Sequence, residues 1–408
     1  MGHVRPLADS ARLRIGLFTN NYRPLLNGLA TSVETFARAF REAGHAVTVV
    51  APRYDAEEDP HVLRVPGLSA PTHHAYVLPV AAWPGVAGAV SERALDIYHA
   101  QHPFLLGAAA RRWARRADRP FVFTYHTHYE RYAHYVPGPA RLVARLALLA
   151  SVRLANAADL VVAPTAAVSR ILRARGVRSP ILVVPTGVPL AARPGPAARQ
   201  ALRERLGFSG AAPLCLTVGR LAPEKNLDFL LRAFALLCRD CPEAGLAVVG
   251  DGDERLRLER LAEALAIRDR VRFVGAVPHP AVVDYCLAAD LFLFPSTSET
   301  QGLAALEGLA AGLPVIAVRS EAAEELLTGE EAGRLTVEEP AAFRQAALDL
   351  WRDAEARQAM GQAARRTAGR FTPEASASVL LTAYARLLRG RHAAAYPVRV
   401  RPSREART

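Results

Sequence analysis

The sequence predicts an α/β protein built from two facing Rossmann-like domains. Three observations predict it. Strand-like apolar runs alternate with helically spaced segments along most of the chain, which is the pattern of parallel βαβ units. The alternation pauses at Pro185-Thr186-Gly187-Val188-Pro189 and Arg193-Pro194-Gly195-Pro196, a linker-like stretch, and then restarts. The chain has 408 residues, too long for one ordinary core and suited to two.

The first alternation opens with a strand at Arg14–Thr19 and a polar loop through Asn27-Gly28. A helix follows over Thr31–Ala43, with Val33, Phe36, Ala37 and Phe40 on one face, and Gly44-His45 ends it. Strands are expected at Ala46–Ala51, Val62–Val65, Asp96–His99, Pro120–Tyr125, Leu160–Ala163 and Ile181–Val184. Helices are expected over Leu105–Ala117, Ala140–Asn156 and Ala166–Arg175. After the linker the strands are Leu214–Val218, Leu246–Val249, Val271–Val274, Leu291–Phe294 and Pro314–Ala317. Their intervening helices are Leu227–Leu237, Glu254–Leu265, Ala281–Ala288 and Gly302–Ala311, and helices fill the remainder to about Leu388. Sheets of this kind bind ligands at the carboxyl ends of their strands, so two facing domains would hold the site in the cleft between them.

Composition narrows the function classes. The longest apolar stretches are broken by Arg, Pro or Gly before about 18 residues, so no span is expected, and the first residues lack a secretory pattern. A cytoplasmic location is the expectation, with peripheral contact on the inner face of the membrane. Four cysteines, Cys215, Cys238, Cys241 and Cys286, are too few and scattered for a disulfide scaffold. Cys238-x-x-Cys241 has no further ligands nearby and reads as buried thiols at a helix end. The net charge of +12 is uneven. Residues 1–190 hold 22 Arg against 12 Asp and Glu, a net +10; residues 191–390 hold 24 cations against 26 acids, a net −2; residues 391–408 carry +4. The basic half suits an anionic surface. One lysine, Lys225, stands against 50 arginines, which singles out a place where an ammonium is wanted.

Three segments carry candidate chemistry. In Ser298-Glu299-Thr300-Gln301-Gly302-Leu303-Ala304-Ala305-Leu306-Glu307, two glutamates lie eight apart, about 12 Å or less along one edge. Gly302 opens the helix, whose free N–H groups suit a phosphate. A carboxylate pair there could grip ribose and sugar hydroxyls; an acidic cap with a solvated Glu is the alternative. In Val218-Gly219-Arg220-Leu221-Ala222-Pro223-Glu224-Lys225-Asn226, Arg220 and Lys225 could neutralise a diphosphate leaving group, or be two solvated cations on a turn. In Val248-Val249-Gly250-Asp251-Gly252-Asp253-Glu254, Asp251-x-Asp253 has the form of a metal motif, but a glycine-rich turn with an acidic N-cap explains it between a strand and a helix.

As an ordered set, these segments resemble family 4 glycosyltransferases of the GT-B fold, over Arg14 to Leu388. The glutamate pair is similar to that family's E-x7-E, GRLAPEKN to its donor-phosphate loop, VVGDGDE to its glycine-rich turn, and FTNNYRPLLNGLATSVETFARAF to its acceptor-domain loop and first helix. The resemblance implies retaining transfer from a nucleotide sugar without a metal or other cofactor. It implies an acceptor-binding domain over 1–189, a donor-binding domain over 190–370, a return helix over 371–390 crossing back to the first domain, and a basic tail over 391–408, expected to be disordered. By the same analogy Arg220 and Lys225 bind the diphosphate, Glu299 contacts the donor sugar, and Glu307 the ribose. Gly28 lets its loop approach the donor phosphates, and Gly250, Gln301, Gly302 and Leu303 line the donor site. His126, in Phe123-Thr124-Tyr125-His126-Thr127-His128, takes the place of the family's histidine against the transferred sugar, with His128 as the competing candidate. The chain departs from the family where Pro-Thr-Gly-Val-Pro replaces Asn-Gly-Val-Asp, and where Arg319–Glu324 lacks the glycines often found there.

The acceptor is narrowed by HTHYERYAHY, PTG and SETQGL, which resemble the diacylglycerol glucosyltransferase branch. The helix over Leu105–Ala117 carries Arg111, Arg112, Arg115 and Arg116, and that over Ala140–Asn156 carries Arg141, Arg145 and Arg153 beside leucines. Such helices suit a membrane surface, or simply pack their apolar side on a sheet and solvate their arginines. The expectation is therefore a hexose moved from UDP-glucose to a lipid such as diacylglycerol. Transfer to a soluble or polysaccharide acceptor, from a UDP-sugar or GDP-mannose, is the alternative. A nucleic-acid-binding protein using Tyr125, Tyr129, Tyr132 and Tyr135 among the arginines is a remote one, and leaves the donor motifs unexplained.

Overall fold

The computed structural model describes residues 12–25, 27–54, 59–69, 77–130, 138–192, 194–208, 212–327 and 331–390. Within them the chain divides into two units, one of residues 12–25, 29–185 and 373–390, the other of 27–28 and 186–372. The tail from Arg391, and Tyr132 and Tyr135, lie outside the described residues.

The first unit contains β1 (Arg14–Phe18), α1 (Gly28–Glu42), β2 (Ala46–Pro52), β3 (Val62–Val65), β4 (Gly67–Ser69), β5 (Val77–Pro79), α2 (Val86–Glu92), β6 (Ile97–Ala100), α3 (Leu106–Ala117), β7 (Phe121–Thr124), α4 (Ala140–Ala155), β8 (Leu160–Ala163), α5 (Ala166–Ala174) and β9 (Ile181–Val183). Seven strands form one parallel sheet in the order β3-β2-β1-β6-β7-β8-β9, with β4 and β5 a separate antiparallel pair. Side chains alternate along β1, so Ile15 and Leu17 enter one core while Phe18 enters the other with Tyr98 and Trp113. Both faces of the sheet are therefore covered, as parallel sheets require.

The second unit contains α6 (Pro196–Arg205), β10 (Leu214–Val218), α7 (Leu227–Asp240), β11 (Gly245–Val249), α8 (Arg255–Ala264), β12 (Val271–Gly275), α9 (Val282–Ala288), β13 (Leu291–Phe294), α10 (Leu303–Ala311), β14 (Val315–Val318), α11 (Glu321–Leu327), β15 (Gly333–Thr336), α12 (Pro340–Arg352) and α13 (Ala354–Ala368). Its six-stranded sheet runs β12-β11-β10-β13-β14-β15, all parallel. This is the doubly wound order in which the chain reverses direction beside its first strand. Cys215 packs on one face of β10, and Leu214 and Leu216 on the other.

The last helix, α14 (Pro373–Arg389), belongs to the first unit. Ala377, Leu380, Tyr384 and Leu387 are buried with Ile15, Leu17, Val33 and Phe40. Inside that core His99 is held at both ring nitrogens, Nδ1 2.6 Å from Tyr384 Oη and Nε2 2.6 Å from Thr124 Oγ1. A neutral imidazole donates to one hydroxyl and accepts from the other.

Two expectations are corrected. The segment read as wholly linker contains the start of α6, where Pro196 occupies the first turn and needs no N–H partner. The C-terminal part is not all helix, because β15 adds a strand beside β14. The four cysteines are free, and burial pushes the Cys238 and Cys241 thiols up to about 11 and about 12.

Candidate active site

In the second sheet the strand order reverses between β10 and β13, so the loops leaving these two strands flank the switch point. Those loops are Gly219–Asn226 and Pro295–Gly302, two of the three segments singled out in the sequence. They are stitched together. Ser296 Oγ and Ser298 Oγ donate to the Glu224 carbonyl at 3.3 and 3.0 Å, and Asn226 Nδ2 donates to the Pro295 carbonyl at 3.3 Å. A turn of 3₁₀ helix, Pro223–Lys225, brings the lysine round to the recess lined by Gly219, Arg220, Phe294 and Glu299.

The Lys225 ammonium is paired with Glu299, and the Arg220 guanidinium with Glu224. All four side chains are partly covered, from 10% exposed for Glu224 to 33% for Arg220. Two cations and two carboxylates thus converge at a switch point. An incoming diphosphate would replace carboxylate oxygens as partner of Lys225 and Arg220.

The third segment supports the first. Gly250 has φ +133°, and a Cβ there would lie 1.9 Å from the Gly219 carbonyl oxygen. The loops after β10 and β11 are knit at this point by Leu221 N donating to the Asp251 carbonyl at 3.0 Å. Asp251 accepts from the Gly252 N–H at 2.8 Å and from Arg255 at 3.2 Å. The residue at the N-cap of α8 is Glu254, and its side chain makes no cap bond, so the expected acidic cap is replaced by the Asp251 turn. Among the described residues no group of three His, Cys, Asp or Glu converges as a ligand set for a metal.

Gly302 sits at the N-cap of α10 with φ 77°, a left-handed conformation that suits glycine. The Gln301 side chain is buried and turned to the linker, accepting from Thr186 N and donating to Thr186 O, both at 2.8 Å. Any contact of Gln301 with a ligand at α10 would come from its backbone. Leu303 is partly buried against the core beneath α10. Glu307, one turn into α10, accepts from His279 Nε2 at 2.6 Å.

Gly28 is the first residue of α1. His126 follows β7 and is half-buried, with Nε2–H donating to Gln101 Oε1 at 2.7 Å. Burial pushes its imidazole down to about 3, so it is neutral near pH 7. His128 is only 4% exposed and lies 3.7 Å from Glu130, which is paired with Arg175. Of the two histidines, His126 is the one that meets solvent.

Several partners went unread in the sequence. Glu224 lies four residues after Arg220, a spacing that could have pointed to the pair. His279 and Gln101 carry no such signal, since they reach Glu307 and His126 only through the fold.

Comparison with known proteins finds relatives of both units. Residues 26–192 match the model described as Glycosyltransferase Family 4, and residues 198–367 that of Glycosyl transferases group 1. An alpha-monoglucosyldiacylglycerol synthase of Streptococcus pneumoniae is 34% identical over 333 residues, 79% of this chain and 75% of that protein. One from Acholeplasma laidlawii is 30% identical over 326 residues, 74% of this chain and 80% of that protein. A sucrose-phosphate synthase structure from Thermosynechococcus elongatus covers 93% of this chain with a TM-score of 0.77, at 24% identity, a likeness of fold.

Proposed function

The chain belongs to the family 4, group 1 glycosyltransferases, and on that premise we propose that it moves a hexose from UDP-glucose to a lipid hydroxyl, with diacylglycerol as the acceptor. The observation that carries the donor half is the convergence of Arg220 and Lys225 with Glu299 at the switch point of the second sheet. The acceptor half is supported by the named activity of the two bacterial relatives.

In this reading residues 190–370 bind the donor and residues 1–189 the acceptor. Arg220 and Lys225 neutralise the diphosphate as the bond from sugar C1 to the phosphate oxygen breaks. The acceptor oxygen bonds to C1 on the face the phosphate leaves, so the configuration is retained, and its proton passes to the leaving phosphate. Glu299 holds the sugar and Glu307 the ribose, while Gly28, Gly250, Gln301, Gly302 and Leu303 shape the donor site. Neutral His126, which donates Nε2–H to Gln101, stands against the transferred sugar. No step in this scheme calls for a metal. Among the described residues no helix is long and apolar enough to cross a membrane, so the lipid would be met at the membrane surface.

A mass-spectrometric transfer assay tests the proposal. The protein is given a pool of UDP- and GDP-sugars with anionic liposomes containing diacylglycerol. A hexose mass gained by diacylglycerol, drawn from UDP-glucose, is expected. Transfer from GDP-mannose would overturn the donor, and nucleotide binding without a lipid product would overturn the acceptor.

A further inference from the structure

The carboxylate of Glu307 on α10 is held from the far side of the second sheet. Its Oε1 accepts from His279 Nε2 at 2.6 Å, 28 residues earlier in the chain. An ionised carboxylate only accepts, so Nε2 carries the proton. Among the described residues no other donor reaches this carboxylate. The Glu307 side chain is 17% exposed and that of His279 44%, so the carboxylate is mostly covered while the imidazole meets solvent. Both partners are firmly mounted. His279 opens a turn of 3₁₀ helix, His279–Ala281, and stands between Pro278 and Pro280, whose rings fix φ on either side of it. The Ala281 N–H donates to the Pro278 carbonyl at 2.9 Å. Val277 before the turn and Val282 after it pack in the same core as Ala305, Leu306 and Leu309 of α10. The end of β12 is tied to β11, where the Gly250 N–H donates to the Gly275 carbonyl at 2.9 Å. The core thus sets the place of the turn relative to α10, and the imidazole selects one of the rotamers open to a helix-surface glutamate.

We propose that His279 is a positioning residue for nucleotide recognition. It holds the Glu307 carboxylate in the orientation that accepts from a ribose hydroxyl, and so sets the preference of the donor site for a ribonucleotide over a deoxyribonucleotide. The inference rests on the donor reading above, in which Glu307 faces the ribose. A carboxylate has roughly four lone-pair sites, so the bond from His279 leaves room for a hydroxyl donor. A hydroxyl that donates to the ionised group makes a charge-assisted bond. A glutamate with free rotamers must be ordered as the nucleotide binds, whereas one already held by an imidazole is not. A plain surface ion pair is the competing account, and it would contribute little. The two accounts differ in what they predict. A surface pair treats every nucleotide alike, whereas a positioning residue acts only on nucleotides that carry the hydroxyl. A site built to hydrogen-bond a hydroxyl rejects the analogue lacking it, because its own polar group is then left without a partner.

The test is isothermal titration of the full chain with UDP, 2′-deoxy-UDP and 3′-deoxy-UDP, or with the guanosine series if GDP binds more tightly. Wild type is expected to bind the ribonucleotide about tenfold or more tighter than the analogue that lacks the contacted hydroxyl. His279→Ala is expected to weaken the ribonucleotide about fivefold to tenfold and to leave that analogue within about twofold, so the preference shrinks. His279→Gln, which puts an amide N–H where Nε2–H stood, is expected to recover most of the preference. Glu307→Ala is expected to abolish it. Equal losses on all three nucleotides in His279→Ala would overturn the positioning role and leave the ribose reading in place. So would a preference that survives His279→Ala and disappears in Glu307→Ala. A wild type that binds all three alike, a Glu307→Ala variant that keeps the full preference, or failure to bind either diphosphate would overturn the ribose reading and the proposal with it.

Discussion

The ammonium of Lys225, the lone lysine of the chain, is paired with the carboxylate of Glu299 across the loops that leave β10 and β13. The pair is partly covered, 22% and 24% exposed, so it holds an ammonium where bound phosphate oxygens would need one. Lys225→Ala should weaken UDP binding by about tenfold to a hundredfold, the range for a lost charge-assisted bond. Arg116→Ala, on the exposed side of α3, should stay within about twofold. Isothermal titration with UDP measures both, and equal losses would remove Lys225 from the diphosphate site.

Gly250→Ala tests how the donor loops are supported. The added methyl would meet the Gly219 carbonyl oxygen at 1.9 Å, from a backbone with φ +133°. The loop carrying Arg220 and Lys225 must then shift, and a loss of about 1–3 kcal/mol in stability together with weaker UDP binding is expected. Gly88→Ala is the control, because its site in α2 is open and helical. There the substitution should stabilise by about 0.5–1 kcal/mol. Thermal unfolding of the two variants, with UDP titrations, checks the contrast. A Gly250 variant that binds and melts like wild type would show that the two loops are not tied at that point.

Most of the alternation was legible because parallel strands buried on both faces read as short apolar runs, as at Leu160–Ala163 and Leu291–Phe294, where the expected and observed bounds coincide. β15 was missed because Gly333–Thr336 holds one buried residue and a glycine, too weak a run to read as a strand. α6 was missed because Pro196 serves both a linker and a first helical turn. Arg220, Lys225 and Glu299 could be picked out by residue type and place, but that Lys225 pairs with Glu299 depends on which loops the sheet order sets side by side. The exposure of Leu142, Leu146 and Leu149 was beyond reach, since an apolar stripe does not say what covers it.

Removal of divalent metal should leave transfer unchanged. Asp251 is already engaged by the Gly252 N–H and by Arg255, an arrangement that accounts for its place in the turn without an ion. Activity with excess EDTA should match the untreated rate in the same transfer assay. Loss of activity that Mg²⁺ restores would make Asp251 and Asp253 metal ligands and overturn the metal-independent scheme.

The histidines of the first unit should make the fold sensitive to mild acid. Burial pushes His99, His102 and His126 down to about 3, with the neighbouring His126 adding to the shift of the first two. In the unfolded chain each titrates near 6.5. Between these values the unfolded chain binds protons that the fold excludes, so stability is full above about pH 6.5 and falls as pH drops toward 3. For His99 and His102, 2% and 7% exposed, the loss by pH 5 is about 2 kcal/mol each. The melting temperature should therefore fall between pH 7 and pH 5, a window in which most carboxylates remain ionised. His99→Gln removes one of the groups and should make that pH dependence shallower, while lowering stability at pH 7 through the lost contacts to Tyr384 and Thr124. A melting temperature that is flat from pH 7 to pH 5 would mean that these imidazoles accept protons in the folded state, and that the polar link from β6 to the return helix is open to water.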